Sequence, residues 1–167
     1  MKRWPYLFIA LAVLILDQAT KAWIIASIPE GQDRPLCSWF ALTHWMNSGS
    51  LFGFLSNLPP KVSLAIFLVL PTAGILFLGF LFFKSQRRLE LVLLSAVIGG
   101  ALGNVVDRVR FGAVVDFLYF HVPDGPGWPS FNVADACLST GIVALLALTL
   151  FRPSPEGDHA PDPLHHR

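Results

Sequence analysis

Charge is scarce in this chain. Asp, Glu, Lys and Arg make up only 14% of its 167 residues, where a soluble domain carries about 25%. The net charge is +1, which leaves no basic surface for nucleic acid and no acidic tail. Cysteine is nearly absent. Cys37 and Cys137 make neither a disulfide framework nor a metal-ligand spacing, and one sits in a loop while the other sits in an apolar run. The five histidines, His44, His121, His159, His165 and His166, show no ligand spacing with Cys or acidic partners, so no metal site is expected. No internal repeat is visible. What the chain does have is apolar residues, 54% of the total, gathered into long runs. The expected class is therefore an all-α membrane protein of four transmembrane helices with a small extracytoplasmic β/loop cradle.

The runs cover residues 4–28, 62–83, 89–110 and 133–151. The first follows Lys2 and Arg3 and resembles a signal peptide, but Asp17, Gln18, Thr20 and Lys21 succeed its apolar core and no A-x-A site appears. It is read as a retained span with Pro5 in its first turn. Pro71 and Gly74 predict a kink in the second span. Outer loops are expected over 29–60 and 112–131, and one domain over 1–151. Residues 152–167 read as a disordered cytoplasmic tail. In the first loop, the alternation from Ser38 to His44 suggests a small sheet at the interface. Ala113–Tyr119 reads as a second extended segment. With the N-terminus inside, the inner side holds Lys2, Arg3, Lys84, Arg87, Arg88, Arg152 and Arg167, and the outer side Arg34 and Lys61. Seven against two places both termini in the cytoplasm.

Residues 99–135 hold four of the eleven acidic residues: Asp107, Asp116, Asp124 and Asp135. Carboxylates in or beside lipid are costly, and each marks a candidate site. Asp17 and Lys21 are four apart and can pair on one helix face, either to lock helix packing or to touch a substrate. At ~1.5 Å per residue, Asp17 lies roughly 18 Å along a helix begun at Pro5, past the midpoint of the membrane. Gly100, Asn104, Asp107 and Arg108 form a polar stripe in the third span. Gly99, Gly100 and Gly103 permit close approach of a neighbouring helix. Asp107 reads as a structural partner of Lys21 or Asp17. Arg108, with five fixed donors, serves either packing or a peptide carbonyl. Gly112 suits a helix C-cap, and Asp124 a turn. Asn132 suits an N-cap, with Asp135 in the first turn. Asp116 and Asp135 can converge at one depth and share a proton, one activating water and the other assisting the carbonyl. A cation or proton pathway stands beside that reading.

Asn47-x-Gly49, Gly99-Gly-Ala-x-Gly-Asn104-x-x-Asp107-Arg108, Gly112-x-Val114-x-Asp116-Phe117 and Phe131-Asn132-x-Ala134-Asp135 together resemble lipoprotein signal peptidase, the type II signal peptidase of bacteria. The resemblance runs from Asp17 to about Thr140. Ser50-Leu51 departs from the small residues commoner after Asn-x-Gly. The resemblance implies a multi-pass aspartic endopeptidase of the bacterial inner membrane, with its active site near the outer face. The implied substrate is a diacylglyceryl-modified prolipoprotein, cut just before the lipidated cysteine. Asp116 and Asp135 match the catalytic pair, and Asn104, Arg108, Asn132 and Asn47 the residues lining the site. Asp17, Lys21, Asp107, Gly49 and Gly103 match supporting positions. The implied partners are that substrate, membrane lipid and the cyclic peptide inhibitor globomycin, no metal or organic cofactor is implied, and a monomer suffices. Two rivals remain. A proton or ion carrier should have polar groups reaching both faces, yet the inner halves of the spans hold only Glu90. A lipid-modifying transferase should show His or clustered cations, yet only Arg108 and Arg110 lie near the outer pocket.

Overall fold

A computed structural model describes residues 2–49, 59–123 and 125–151. Ser50, Leu51, Asp124 and the tail 152–167 lie outside the described residues. Four helices, α1 (Trp4–Ser27), α2 (Pro60–Lys84), α3 (Arg88–Phe111) and α4 (Val133–Leu150), are each long and apolar enough to cross a membrane. Three strands, β1 (Asp33–Cys37), β2 (Phe40–Asn47) and β3 (Val114–Phe120), form one antiparallel sheet in the order β1-β2-β3. The sheet stands at the end of the bundle where α1 and α3 finish and α4 begins. Lys2, Arg3, Lys84, Arg87 and Arg88 gather at the opposite end, where the Arg3 guanidinium donates to the Ser85 carbonyl at 3.3 and 3.4 Å.

Local chemistry sets the boundaries. Pro5 occupies the first turn of α1, where its missing N–H leaves nothing unpaired. Gly112 ends α3 with φ 72°, a left-handed conformation that an L side chain resists. Asn132 opens α4 with a reciprocal capping box: its side chain accepts from the Asp135 N–H at 2.8 Å, and the Asp135 carboxylate accepts from the Asn132 N–H at 3.3 Å. α2 continues through Pro71 as one helix.

α3 is the axis of the bundle. Half of its spanning stretch is buried, against 22%, 6% and 11% for α1, α2 and α4. In lipid, apolar burial gives helices little reason to associate, so small residues and polar bonds decide the packing. A Cβ on Gly100 would lie 2.7 Å from the Ala134 carbonyl oxygen, and one on Gly103 would strike the Asp17 carboxylate. These glycines let α4 and α1 close onto α3. Ile24, Ile28, Val115 and Phe117 form a core that seats the sheet on the end of α1. Phe82, Leu91 and Leu94 form a second core at the far end, joined by Tyr6 and Leu145.

The pairing of β2 with β3 contains one irregularity. Leu42 faces Leu118, but the next paired residue, Trp45, faces Asp116. β2 spends three steps where β3 spends two, a bulge of one extra residue at Thr43-His44. Both bulge residues are buried. Beyond it, Asn47 pairs with Val114, so its side chain lies on the same face as Asp116. If the same residues paired with β3 without a bulge, Asn47 would oppose Ala113 and point the other way.

Candidate active site

The largest fully buried polar side chain is Lys21, 2% exposed on α1. Its ammonium has three hydrogens and finds three acceptors: Asp17 at 2.8 Å, Asp107 at 2.9 Å and the Asn104 side-chain carbonyl at 3.0 Å. Neither carboxylate depends on the lysine alone. Gln18 Nε2 donates to Asp107 Oδ1 at 2.9 Å and to Asp17 Oδ2 at 3.2 Å. Asp107 Oδ2 accepts from the Val115 N–H at 3.1 Å, and Asp17 Oδ1 from the Ala134 N–H at 2.9 Å. A buried charge survives only when paired and hydrogen-bonded in this way. Val115 and Ala134 immediately precede Asp116 and Asp135, so this cluster grips the backbone one residue before each.

Three asparagine amides then reach the two aspartates, and each is oriented by a donor on its carbonyl side. Lys21 can only donate, so Asn104 turns its oxygen to Lys21 and its NH2 to Asp135 Oδ1, at 2.7 Å. The Asp135 N–H fixes Asn132 Oδ1, so Asn132 Nδ2 donates to Asp116 Oδ1 at 2.8 Å. The same Nδ2 lies 3.3 Å from the Val115 carbonyl and from Asn104 Oδ1. The Gly49 N–H fixes Asn47 Oδ1 at 2.8 Å, so Asn47 Nδ2 donates to Asp116 Oδ2 at 2.9 Å. Asn132 therefore bonds both carboxylates, Asp116 through its side chain and Asp135 through its backbone N–H.

Asp116 belongs to β3 and is 2% exposed. Burial raises its pKa from the ordinary 3.8 to about 6. Donation from Asn47 pulls against that rise, the negative charge of Asp135 adds to it, and Asn132 and Lys21 oppose it. Arg108 sits beside the pair on α3. Its guanidinium lies 5.6 Å from the Phe67 ring centroid, and its Nη1 is 3.4 Å from the Asn104 carbonyl.

The polar residues singled out in the sequence thus converge on one end of the bundle. Asp17, Lys21 and Asp107 form its ion cluster, and Asn47, Asn104, Asn132, Arg108, Asp116 and Asp135 lie beside it. Gly103 admits Asp17, and Gly49 takes the turn after Asn47 with φ 79°. The sequence reading missed Gln18 as a site residue, although an amide beside a carboxylate in an apolar run is itself a signal. It also missed Phe67, which nothing in the sequence separates from the other phenylalanines. Cys37 and Cys137 are both free, and Thr140 Oγ1 bonds the Ala136 carbonyl of its own helix at 2.6 Å. Among the described residues, no group of three His, Cys, Asp or Glu side chains is placed to hold a metal.

Residues 9–151 match the family described as Signal peptidase (SPase) II. The chain belongs to the signal peptidase II family. It is 40% identical over 145 residues to a lipoprotein signal peptidase of Burkholderia ambifaria, covering 85% of each chain. With a lipoprotein signal peptidase of Moorella thermoacetica it shares 35% over 158 residues, 94% of this chain and 99% of the relative. The fold is similar to a bacterial membrane enzyme solved by the in meso method at 1.9 Å, with a TM-score of 0.77 and 29% identity over 90% of this chain and 94% of that one. This signal peptidase II is accordingly a peptidase and a multi-pass bacterial membrane protein.

Proposed function

We propose that the protein is an aspartic endopeptidase that removes the signal peptide from diacylglyceryl-modified prolipoproteins, cutting just before the lipidated cysteine. The observation that carries this reading is Asn132. One residue hydrogen-bonds Asp116 at 2.8 Å and Asp135 at 3.3 Å and so holds two carboxylates from different elements to a common point. In the proposed reaction the pair shares one proton. The ionised carboxylate takes a proton from a water as it attacks the scissile carbonyl, and the protonated one donates to the carbonyl oxygen. The tetrahedral species then collapses as its nitrogen is protonated and the peptide bond breaks. Asn104 and Asn132 hold the carboxylates, Asn47 covers Asp116 from the sheet, and Arg108 is placed to meet a peptide carbonyl. Asp17, Lys21, Asp107, Gly49 and Gly103 support this frame.

The active face lies at the outer membrane surface, and both termini lie in the cytoplasm of an inner-membrane protein. The gathering of Lys2, Arg3, Lys84, Arg87 and Arg88 at the end away from the sheet supports this orientation. Acyl chains of the substrate stay in the bilayer while the loop 29–58, part of it outside the described residues, covers the peptide. The catalytic domain is the single unit 1–151, acts as a monomer, and is inhibited by globomycin as a substrate mimic. The rival relay reading gains nothing from the Asp17–Lys21–Asp107 cluster, whose lysine has all three hydrogens engaged.

The test is cleavage of a diacylglyceryl-modified prolipoprotein in micelles by the native chain, Asp116→Asn and Asp135→Asn, with thermal unfolding alongside. Both variants should remain folded and lose at least about 10²- to 10⁴-fold in rate. A folded variant that cuts at near the native rate would remove that residue from the mechanism.

A further inference from the structure

Phe67 lies on α2, the helix that buries least of itself, yet it touches the site from two sides. Its ring tip faces Gly49. A Cβ built on Gly49 would lie 2.8 Å from Phe67 Cζ and 2.9 Å from both Cε atoms, closer than real side chains approach. The ring also takes the Arg108 guanidinium at 5.6 Å from its centroid, within the ~6 Å reach of a cation–π contact. Gly49 is the residue whose N–H fixes the Asn47 amide, and the other end of that amide bonds Asp116. A short chain of contacts therefore runs from α2 through the Gly49 turn and the Asn47 amide to Asp116. Asn47 is exposed at the end of β2, so the turn must be backed from outside its own strand, and the Phe67 ring backs it.

We propose that Phe67 is a positioning residue of the peptidase site, holding the Asn47–Gly49 turn so that the Asn47 amide stays on Asp116, and seating Arg108 on its ring. The inference rests on the reading of Asp116 and Asp135 as the reacting pair. Phe67 touches no reacting atom. It accounts for glycine at position 49 in two ways: the backbone is left-handed, and a side chain would meet the ring. It also makes α2 matter to the chemistry, although among the described elements α2 packs only on α3.

The consequence has a sign. Asp116 feels Asp135 from α4, Lys21 from α1 and Arg108 from α3, while β2 contributes the neutral Asn47. Asn47 donates to the ionised form of Asp116. If the turn swings away, Asp116 keeps its proton to higher pH, and the limb of the pH–rate profile that reports it moves up.

The test uses the full chain in micelles, comparing native, Phe67→Ala and Phe67→Leu. kcat and KM are read against pH, and hydrogen exchange is read at the Gly49 amide. Phe67→Ala should lower kcat about ten- to a hundredfold with a smaller change in KM, as expected for a misplaced group. It should also move the Asp116 limb to higher pH and speed exchange at Gly49. Phe67→Leu refills the space behind the turn, and should restore the limb and the protection at Gly49. Native Gly49 protection and a native limb in Phe67→Ala would overturn the proposal, whatever the rate, because Phe67 would then be packing only. Asp116→Asn and Asp135→Asn run in the same assay separate the two claims. If they still cleave, the dyad reading fails, while exchange at Gly49 still reports whether the ring holds the turn.

Discussion

Lys21 shows how much of this site is decided by one side chain. A lysine withdrawn from water is tolerable only because three acceptors surround it, and the two carboxylates among them are tolerable only because of it. Lys21→Met keeps much of the volume and removes the charge. It leaves Asp17 and Asp107 buried without their cation and frees the Asn104 amide to rotate, so that an oxygen can face Asp135. Unfolding in detergent should show a loss of about 3–5 kcal/mol. The double variant Lys21→Met/Asp107→Asn should lose less than the sum of its parts, since the two residues share one interaction. Full additivity would mean that the cluster is not one unit.

The bulge in β2 is the element whose geometry serves the site most directly. Thr43 and His44 are buried side by side where a regular strand would alternate, and the strand resumes with its faces exchanged. The Thr43 hydroxyl has no hydrogen-bond partner among the described residues, so its position reflects the bulge rather than a bond. Inserting one alanine after Met46, beyond the bulge, should set Asn47 opposite Ala113 and turn it away from Asp116. The expected variant keeps its helical circular dichroism and loses most of its cleavage. Native cleavage would show that Asn47 reaches Asp116 by another route. β1, by contrast, is exposed along its whole length and pairs only with β2.

At the scale of the whole molecule, the Asp116 proton makes stability depend on pH. Its pKa is about 6 in the folded chain against an ordinary 3.8. Between these values the native state binds the proton more tightly than the unfolded state does. Stability from this group is therefore fully present below about pH 4 and is lost as pH rises through 6, by roughly 3 kcal/mol at ~1.36 kcal/mol per unit. The native melting temperature should carry this fall between pH 4 and 6.5, and Asp116→Asn should lack it. An identical slope in the variant would place the titrating group elsewhere. The legibility of the chain follows the range of each interaction. The four helices, the Asp17–Lys21 pair, the Gly112 stop and the Asn132 cap are local, and apolar run length or a spacing of three or four residues reveals them. The meeting of Asp116 with Asp135 was legible only as a matter of depth, and the roles assigned to them came from the family motifs. The bulge, the Phe67 ring and the grip on Val115 and Ala134 were not legible. One extra residue in a strand leaves no mark in composition, and a backbone N–H looks the same at every position.

The bulge also bears on how this enzyme can be recombined with its relatives. A hairpin grafted from another member would carry its own number of residues between the stretch paired with β3 at Leu118 and the asparagine that must reach Asp116. Matching residue types across the splice would not protect the graft. Leu118 to Val114 is four steps on β3, so an interval of four reaches Asp116 by regular pairing and an interval of five reaches it only with a bulge; length and bulge must be carried across that junction together.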